Sequence, residues 1–232
     1  MTNTSKNKLS TAIGFFFLYW GLYFGISTVC AFIEVFRLMN QTGLSAEALL
    51  SSGLVTGFSW YFVLLSTLNF VLVIWLSKRK GLTFFSFKPI PLKDLGFTVL
   101  MFIGMLATTT CLNMIAINFI PGFENTANEI ALDNILANTA YPLFFFYAVI
   151  LAPVSEEVII RGFFLKYFFP HNRKLGWILS SLLFGMLHGP TDIISFLIYT
   201  SMGAFLGGIY YRTNRIELAI LAHFSNNFLS ML

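Results

Sequence analysis

The chain has 232 residues, 57% of them hydrophobic and 10% charged, with a formal net charge of +4. A soluble domain carries about 25% charged residues, so this chain has too little charge to coat a water-facing surface, and composition points to a polytopic membrane protein. A pI near 9.1 is compatible with nucleic-acid binding, but the basic residues gather at the ends of apolar runs, and no nucleic-acid partner is expected.

A membrane-spanning helix needs about 20 mostly apolar residues at 1.5 Å rise each. Seven segments qualify as candidates: 11–33, 54–76, 95–119, 141–169, 175–189, 193–211 and 216–232. The fifth and seventh are short, so some helices are expected to be broken or only partly spanning. The fold class that follows is an all-α membrane bundle of about seven helices. One transmembrane domain covers residues 1–232, with N-terminal spans in 1–140 and polar-bearing helices in 141–232. There is no repeat, long linker or low-complexity stretch. The abundant Phe (28 residues) suits lipid-facing and inter-helix packing.

The run from Thr11 to Ile33 is too long for a signal-peptide core of about 7–15 residues and reads as a retained first span. Ser27-Thr28-Val29-Cys30 is faintly like a lipoprotein cleavage site, but Val29 is too large for one. Cys30 and Cys111 both fall in apolar spans and are expected as free thiols. The loop from Phe119 to Asn138 opens on Pro121-Gly122, is acidic, and has room for a short surface helix.

Charges alternate along the loops. Lys6 and Lys8, then 77–94, then 161–174, then Arg212 and Arg215 are basic, whereas 34–53 and 120–140 are acidic. Thirteen of the fourteen Lys/Arg fall on one side, Arg37 being the exception. The positive-inside rule makes that side cytoplasmic, with the N-terminus inside and the C-terminus outside.

The fourth span carries Ala152-Pro153-Val154-Ser155-Glu156-Glu157-Val158-Ile159-Ile160-Arg161-Gly162. An acidic side chain at bilayer depth costs roughly 2.5–3.5 kcal/mol even on the lenient insertion scale, so two together call for a reason. They are one helical step apart, about 100° in projection, and cannot both face one site. Glu157 and Arg161 are i,i+4 with the acid first, the favourable order for an ion pair, which gives Glu157 a structural role. Glu156 then lacks a local partner, which suits a general base. Pro153 removes a helical hydrogen bond just upstream and leaves room for water.

If Pro170-His171-Asn172-Arg173-Lys174 is the tip of a helical hairpin, Glu156 lies sixteen residues before Asn172 and His188 sixteen after, at similar depth. Phe184 shares a face with His188. Asp192 suits a helix N-cap. Gly203, Gly207 and Gly208 form a small-residue surface for close helix packing. In the last span His223 and Asn227 are i,i+4 and offer two hydrogen-bond donors toward one point, as an oxyanion hole requires. Asn226, one step round, is the weaker partner. His223 lies only about 12 Å from Arg215 by helix rise, so the site is expected to open toward the cytoplasmic half of the bilayer.

Glu156-Glu157-x-x-x-Arg161, Phe184-x-x-x-His188 and His223-x-x-x-Asn227, in this order on successive apolar segments, resemble the three motifs of the CAAX protease and bacteriocin-processing family, also called CPBP or Abi. Ala152-Pro153, Gly162 and the Gly-rich span ending at Tyr210-Tyr211-Arg212-Thr213 fit as well. The resemblance covers about residues 141–232, and the usual aromatic before the motif's arginine is Ile160 here. It implies a glutamate-dependent intramembrane endopeptidase. Glu156 and His188 would activate water, His223 and Asn227 would stabilise the tetrahedral oxyanion, and Glu157, Arg161 and Phe184 would support them. The family has carried the label metalloprotease, and Glu156, His188 and His223 are the three ligands a zinc ion would use. No His-Glu-x-x-His helix is present, and no metal or other cofactor is expected to be required.

The expected partners are the lipid bilayer and a peptide or membrane-anchored protein substrate, in a bacterial cell membrane. Prenylated CAAX proteins are the eukaryotic substrate class, whereas a bacterial chain would process a pheromone or bacteriocin precursor. Two other readings compete. One is a non-catalytic membrane protein that gives bacteriocin immunity or regulates a partner by binding. The other is a transporter using Glu156 as a proton relay, which lacks the inverted repeats many transporters show.

Overall fold

A computed structural model describes residues 3–86 and 88–232 of the chain. Among these residues there are nine helices and no strand: α1 (Asn3–Thr42), α2 (Ala46–Ser51), α3 (Trp60–Arg79), α4 (Leu92–Phe119), α5 (Ala127–Ala137), α6 (Tyr141–Phe168), α7 (Arg173–Leu187), α8 (Ile193–Thr213) and α9 (Ile216–Leu229). Five of them, α1, α3, α4, α6 and α8, are long and apolar enough to cross a bilayer. The protein is an all-α integral membrane bundle. Helices α7 and α9, of 15 and 14 residues, reach about 21–23 Å, short of the ~30 Å hydrocarbon core. These are the two short spans expected from the sequence. Cys30 and Cys111 are free thiols, and α5 is the surface helix expected in the 119–138 loop.

Two boundaries differ from the expected ones for local reasons. Helix α1 does not stop near Ile33 but runs to Thr42, because residues 34–42 hold neither Gly nor Pro. It ends at Gly43, whose φ of +71° suits a residue without Cβ. Helix α3 starts at Trp60 rather than near Leu54, since Gly57 also adopts positive φ and the Ser59 hydroxyl caps the helix by accepting the Phe62 N–H at 3.2 Å. One charge is also misplaced by the sequence reading. Arg161 is not at a span end but fully buried within α6, so the charge asymmetry rests on the remaining basic residues.

Helix α8 occupies the centre. Its span is 56% buried against 11% for the lipid-facing α4, and it packs most extensively on α7 and α4. Asp192 caps its start, accepting the N–H groups of Ile194 (2.9 Å) and Ser195 (2.8 Å). The small residues permit this packing. A Cβ added at Gly203 would stand 2.9 Å from Phe184 Cβ and 3.0 Å from the Ser181 backbone. One at Gly207 would meet Trp177 at 2.7 Å. Gly203→Ala is therefore expected to push α7 from α8 and to cost about 1–3 kcal/mol, the range of overpacked cores, as a lowered unfolding temperature in detergent. A wild-type unfolding temperature would mean that the helices separate without strain.

Candidate active site

The two glutamates diverge as their spacing predicts. Glu157 is fully buried, and Glu156 stands half-buried on the wall of a cavity. Glu157 Oε2 lies 3.1 Å from Arg161 Nε. The approach is off-angle for a hydrogen bond, so the contact is an ion pair with Arg161 Nη1 left without a partner. Arg161 Nη2 donates to the Gly203 carbonyl at 2.9 Å, and its guanidinium lies 4.9 Å over the Phe184 ring. The other oxygen, Glu157 Oε1, is 3.2 Å from His223 Nδ1. This last partner comes from another helix and is invisible to spacing along α6. Glu157 thus does more than neutralise Arg161, because it also fixes the rotation of the His223 ring.

His188 closes α7. Its Nδ1 is 2.7 Å from the Phe184 carbonyl. A carbonyl only accepts, so Nδ1 carries a proton, and on the neutral ring Nε2 keeps its lone pair. The ring lies between Phe184 (centroids 4.5 Å) and Tyr199, which stacks on it at 4.2 Å and 14°. Tyr199 is buried, and its hydroxyl meets Thr126 Oγ1 at 2.8 Å and Asn128 Nδ2 at 3.3 Å. The start of α5 is therefore tied to the residue that holds His188 flat. Burial pushes the neighbouring Glu129 carboxyl above its ordinary range. The Tyr199 hydroxyl offsets part of this, and Asp133 adds to it.

Pro153 and Asn227 are coupled through the backbone. Helix α6 is not α-helical throughout, since its turns widen to π geometry at Phe146–Leu151 and Val158–Phe168. π turns recur at functional sites. The Ala152 N–H bonds to the Tyr147 carbonyl, five residues back. The next amide in that ladder would be Pro153, which has none, so the Ala148 carbonyl is left open. Asn227 Nδ2 donates to it at 2.9 Å. One amide hydrogen of Asn227 is thereby committed, and one remains free.

Glu156, His188, His223 and Asn227 all line one cavity of about 440 Å³, within the usual ligand-site range of about 300–1,000 Å³. The equal-arm spacing of Glu156 and His188 about the α6–α7 turn corresponds to their facing this common space. Glu156 Oε2 is buried there without a protein partner. Asn226 also lines the cavity, and its Nδ2 reaches Asn227 Oδ1 at 3.3 Å. Sequence reasoning missed Tyr19 and Tyr23 of α1, Tyr147 and Ser155 of α6 and Tyr199 of α8, which complete the polar lining. Tyr19 and Tyr23 form an i,i+4 pair of polar tips in an apolar span, a signal that was present but ambiguous.

No residue of the basic loops, the side toward which the site is expected to open, lines the cavity. The cavity is walled by Asn128, Glu129, Leu132 and Asp133 of α5 and by Ser230 and Met231 beyond α9. It therefore extends from the middle of the bundle toward the end opposite the basic loops. Helix rise from Arg215 measured the depth of His223 but not the direction in which the space beside it widens. Among the described residues no three His, Cys, Asp or Glu side chains group as a metal-ligand set. Glu156, His188 and His223 share the cavity without forming the three-ligand zinc arrangement, and no step below runs through a metal.

Residues 138–229 match the family model described as "Type II CAAX prenyl endopeptidase Rce1-like". That segment holds α6 to α9 and all of Glu156, Glu157, Arg161, Phe184, His188, His223 and Asn227. Among curated proteins the chain is 33% identical over 107 residues to "Putative membrane peptidase YdiL" of Bacillus subtilis (strain 168), a stretch covering 46% of this chain and 42% of that one. It is 33% identical over 91 residues to "UPF0177 protein YajF" of Lactococcus lactis subsp. lactis (strain IL1403), covering 39% and 44% respectively. The chain spans less than half the length of these relatives. No solved structure matches it. The resemblance read from the three motifs is borne out over the C-terminal part of the chain.

Proposed function

We propose that the protein is an intramembrane endopeptidase that hydrolyses a peptide bond of a peptide or membrane-anchored substrate. The observation that carries this reading is the convergence of Glu156, His188, His223 and Asn227 on one cavity, with Glu156 Oε2 unpartnered. Glu156 takes a proton from a water molecule as the water oxygen attacks the scissile carbonyl carbon. His188 Nε2, a free acceptor on a ring clamped between Phe184 and Tyr199, orients that water. The tetrahedral oxyanion is met by the uncommitted Nδ2 hydrogen of Asn227 and by His223 Nε2. His223 donates there only when its ring carries both protons, because Nδ1–H is already directed at Glu157. The Glu157 carboxylate, shared between Arg161 and His223, is the group that would hold such an imidazolium. Collapse of the intermediate breaks the C–N bond, and Glu156 returns its proton to the leaving amine.

Each part has a characteristic size. A positioned general base contributes about 10²–10⁴-fold, and one oxyanion donor about 10²–10³-fold. His188→Asn is expected to lower kcat by roughly 10²-fold or more in the protein that remains folded, measured on the purified protein with a peptide it cleaves. A variant with wild-type kcat would remove His188 from the chemistry. The matched family segment and the relative named as a peptidase support the hydrolytic reading over binding alone. The two bacterial relatives support a bacterial cell membrane location, and the charge asymmetry supports an N-terminus inside, which would place the cavity in the outer half of the membrane.

A further inference from the structure

A second cavity, of about 220 Å³, adjoins the first. The two share four wall residues, Tyr23, Asn128, Leu132 and Tyr147, so one side of α5 roofs both. At the boundary the hydroxyls of Tyr23 and Tyr147 lie 2.9 Å apart. Two phenols joined by one hydrogen bond spend one donor and keep one, which leaves an O–H free between the two spaces.

The two cavities differ in chemistry. The larger is lined by the carboxylates of Glu129, Asp133 and Glu156. The smaller has no charged residue on its wall, and its apolar surface comes from Phe58, Phe62, Leu132 and Ile135. Phe58 and Phe62 pack on Tyr147 with ring centroids 5.2 and 5.6 Å apart. This aromatic floor lies beside the space that holds the reacting groups, and Ser27, Thr56 and Asn128 complete the wall.

We infer that the smaller cavity is a specificity subsite for a large apolar side chain of the peptide a few residues from the scissile bond, with the free Tyr23–Tyr147 hydroxyl donating to the peptide backbone at the threshold. The inference rests on the endopeptidase reading. Tyr147 stands nine residues before Glu156 on α6, about 13 Å by helix rise, so an extended substrate lying against Glu156 and passing under α5 brings a side chain about three or four residues away to this pocket. An apolar side chain suits the aromatic floor, and an anionic one would find no cation on the wall, where the Glu34 carboxylate accepts the Gly57 N–H. Apart from Tyr147, the wall residues come from α1, the 52–59 loop, α3 and α5, all outside the matched segment 138–229. Selectivity would thus reside in the part of the chain that the family pattern does not cover.

Ser27 of α1 and Ala131 of α5 line only the smaller cavity, each from a different helix. The purified full chain in detergent is incubated with a mixture of short peptides varied at each position, and the cleavage sites are read by mass spectrometry. The wild type is expected to cut at one fixed distance, a few residues, from a Leu, Ile or Phe. Ser27→Phe fills the pocket and lowers kcat/KM for those peptides roughly 10–200-fold, mostly through KM, while peptides with Gly or Ala there are still cut. Ala131→Phe repeats the change from the other helix, so a folding failure of one variant does not stop the test. Thr28→Phe, exposed on α1 and lining neither cavity, keeps the wild-type preference. An unchanged preference in folded Ser27→Phe and Ala131→Phe overturns the subsite. So does a co-purified lipid that both variants expel while their cleavage preference stays the same. If the wild type cuts no peptide at all, the endopeptidase reading fails first and the subsite goes with it.

Discussion

Glu156→Gln should insert and unfold as the wild type does, yet lose about 10²–10⁴-fold in kcat, the contribution of a positioned general base. The fold should tolerate the change because Gln has nearly the shape of Glu, and because the Glu156 Oε2 atom has no protein partner to lose. The side chain faces a cavity of about 440 Å³, where an amide can be hydrated. An amide cannot take a proton from water, so the attacking oxygen is no longer activated. Substrate binding should persist, leaving KM near its wild-type value. Equal kcat in the two proteins would make Glu156 part of the scaffold and favour a protein that acts by binding.

Glu157 should behave in the opposite way, through stability as well as rate. Its carboxylate and the Arg161 guanidinium are both 0% exposed. Removing either one strands a buried charge, and breaking such a pair costs about 3–5 kcal/mol. Glu157→Leu and Arg161→Leu are each expected to fall by that amount in chemical unfolding. The double variant Glu157→Leu/Arg161→Leu removes both charges and is expected to recover most of the loss, since apolar replacements of buried pairs are often neutral. It should nonetheless stay inactive, because His223 Nδ1 has lost the acceptor 3.2 Å away. Stability restored together with activity would show that Glu157 serves Arg161 alone. The same geometry makes Glu157→Gln a poor neutral control for Glu156→Gln, even though spacing along α6 suggests only a local ion pair.

What the sequence disclosed and what it hid follow from the range of the interactions. The i,i+4 pairs Glu157–Arg161 and Phe184–His188 are set by helix geometry and are found as expected. The seven apolar segments were also legible as helices, although only five are long enough to cross a bilayer and α7 and α9 fall short of it. The far end of α1 was less so, since only Gly43 and not polarity ends that helix. The contacts that finish the site are long-range. His223 reaches Glu157 across 66 residues, Asn227 reaches Ala148 across 79, and Tyr23 reaches Tyr147 across 124. None has a spacing rule. The Asn227 contact could have been suspected, since Pro153 must orphan a carbonyl, but not which side chain would answer it. The direction of the cavity depends on α5 folding back over α6 and α8, which helix rise along α9 cannot reveal.

The most direct test is to incubate the purified wild type and Glu156→Gln, side by side, with the same peptide mixture in ¹⁸O-enriched water and to weigh the products. The account predicts new C-terminal carboxylates carrying ¹⁸O from the wild type and none above background from Glu156→Gln. Labelled products in equal amounts from both proteins would contradict it.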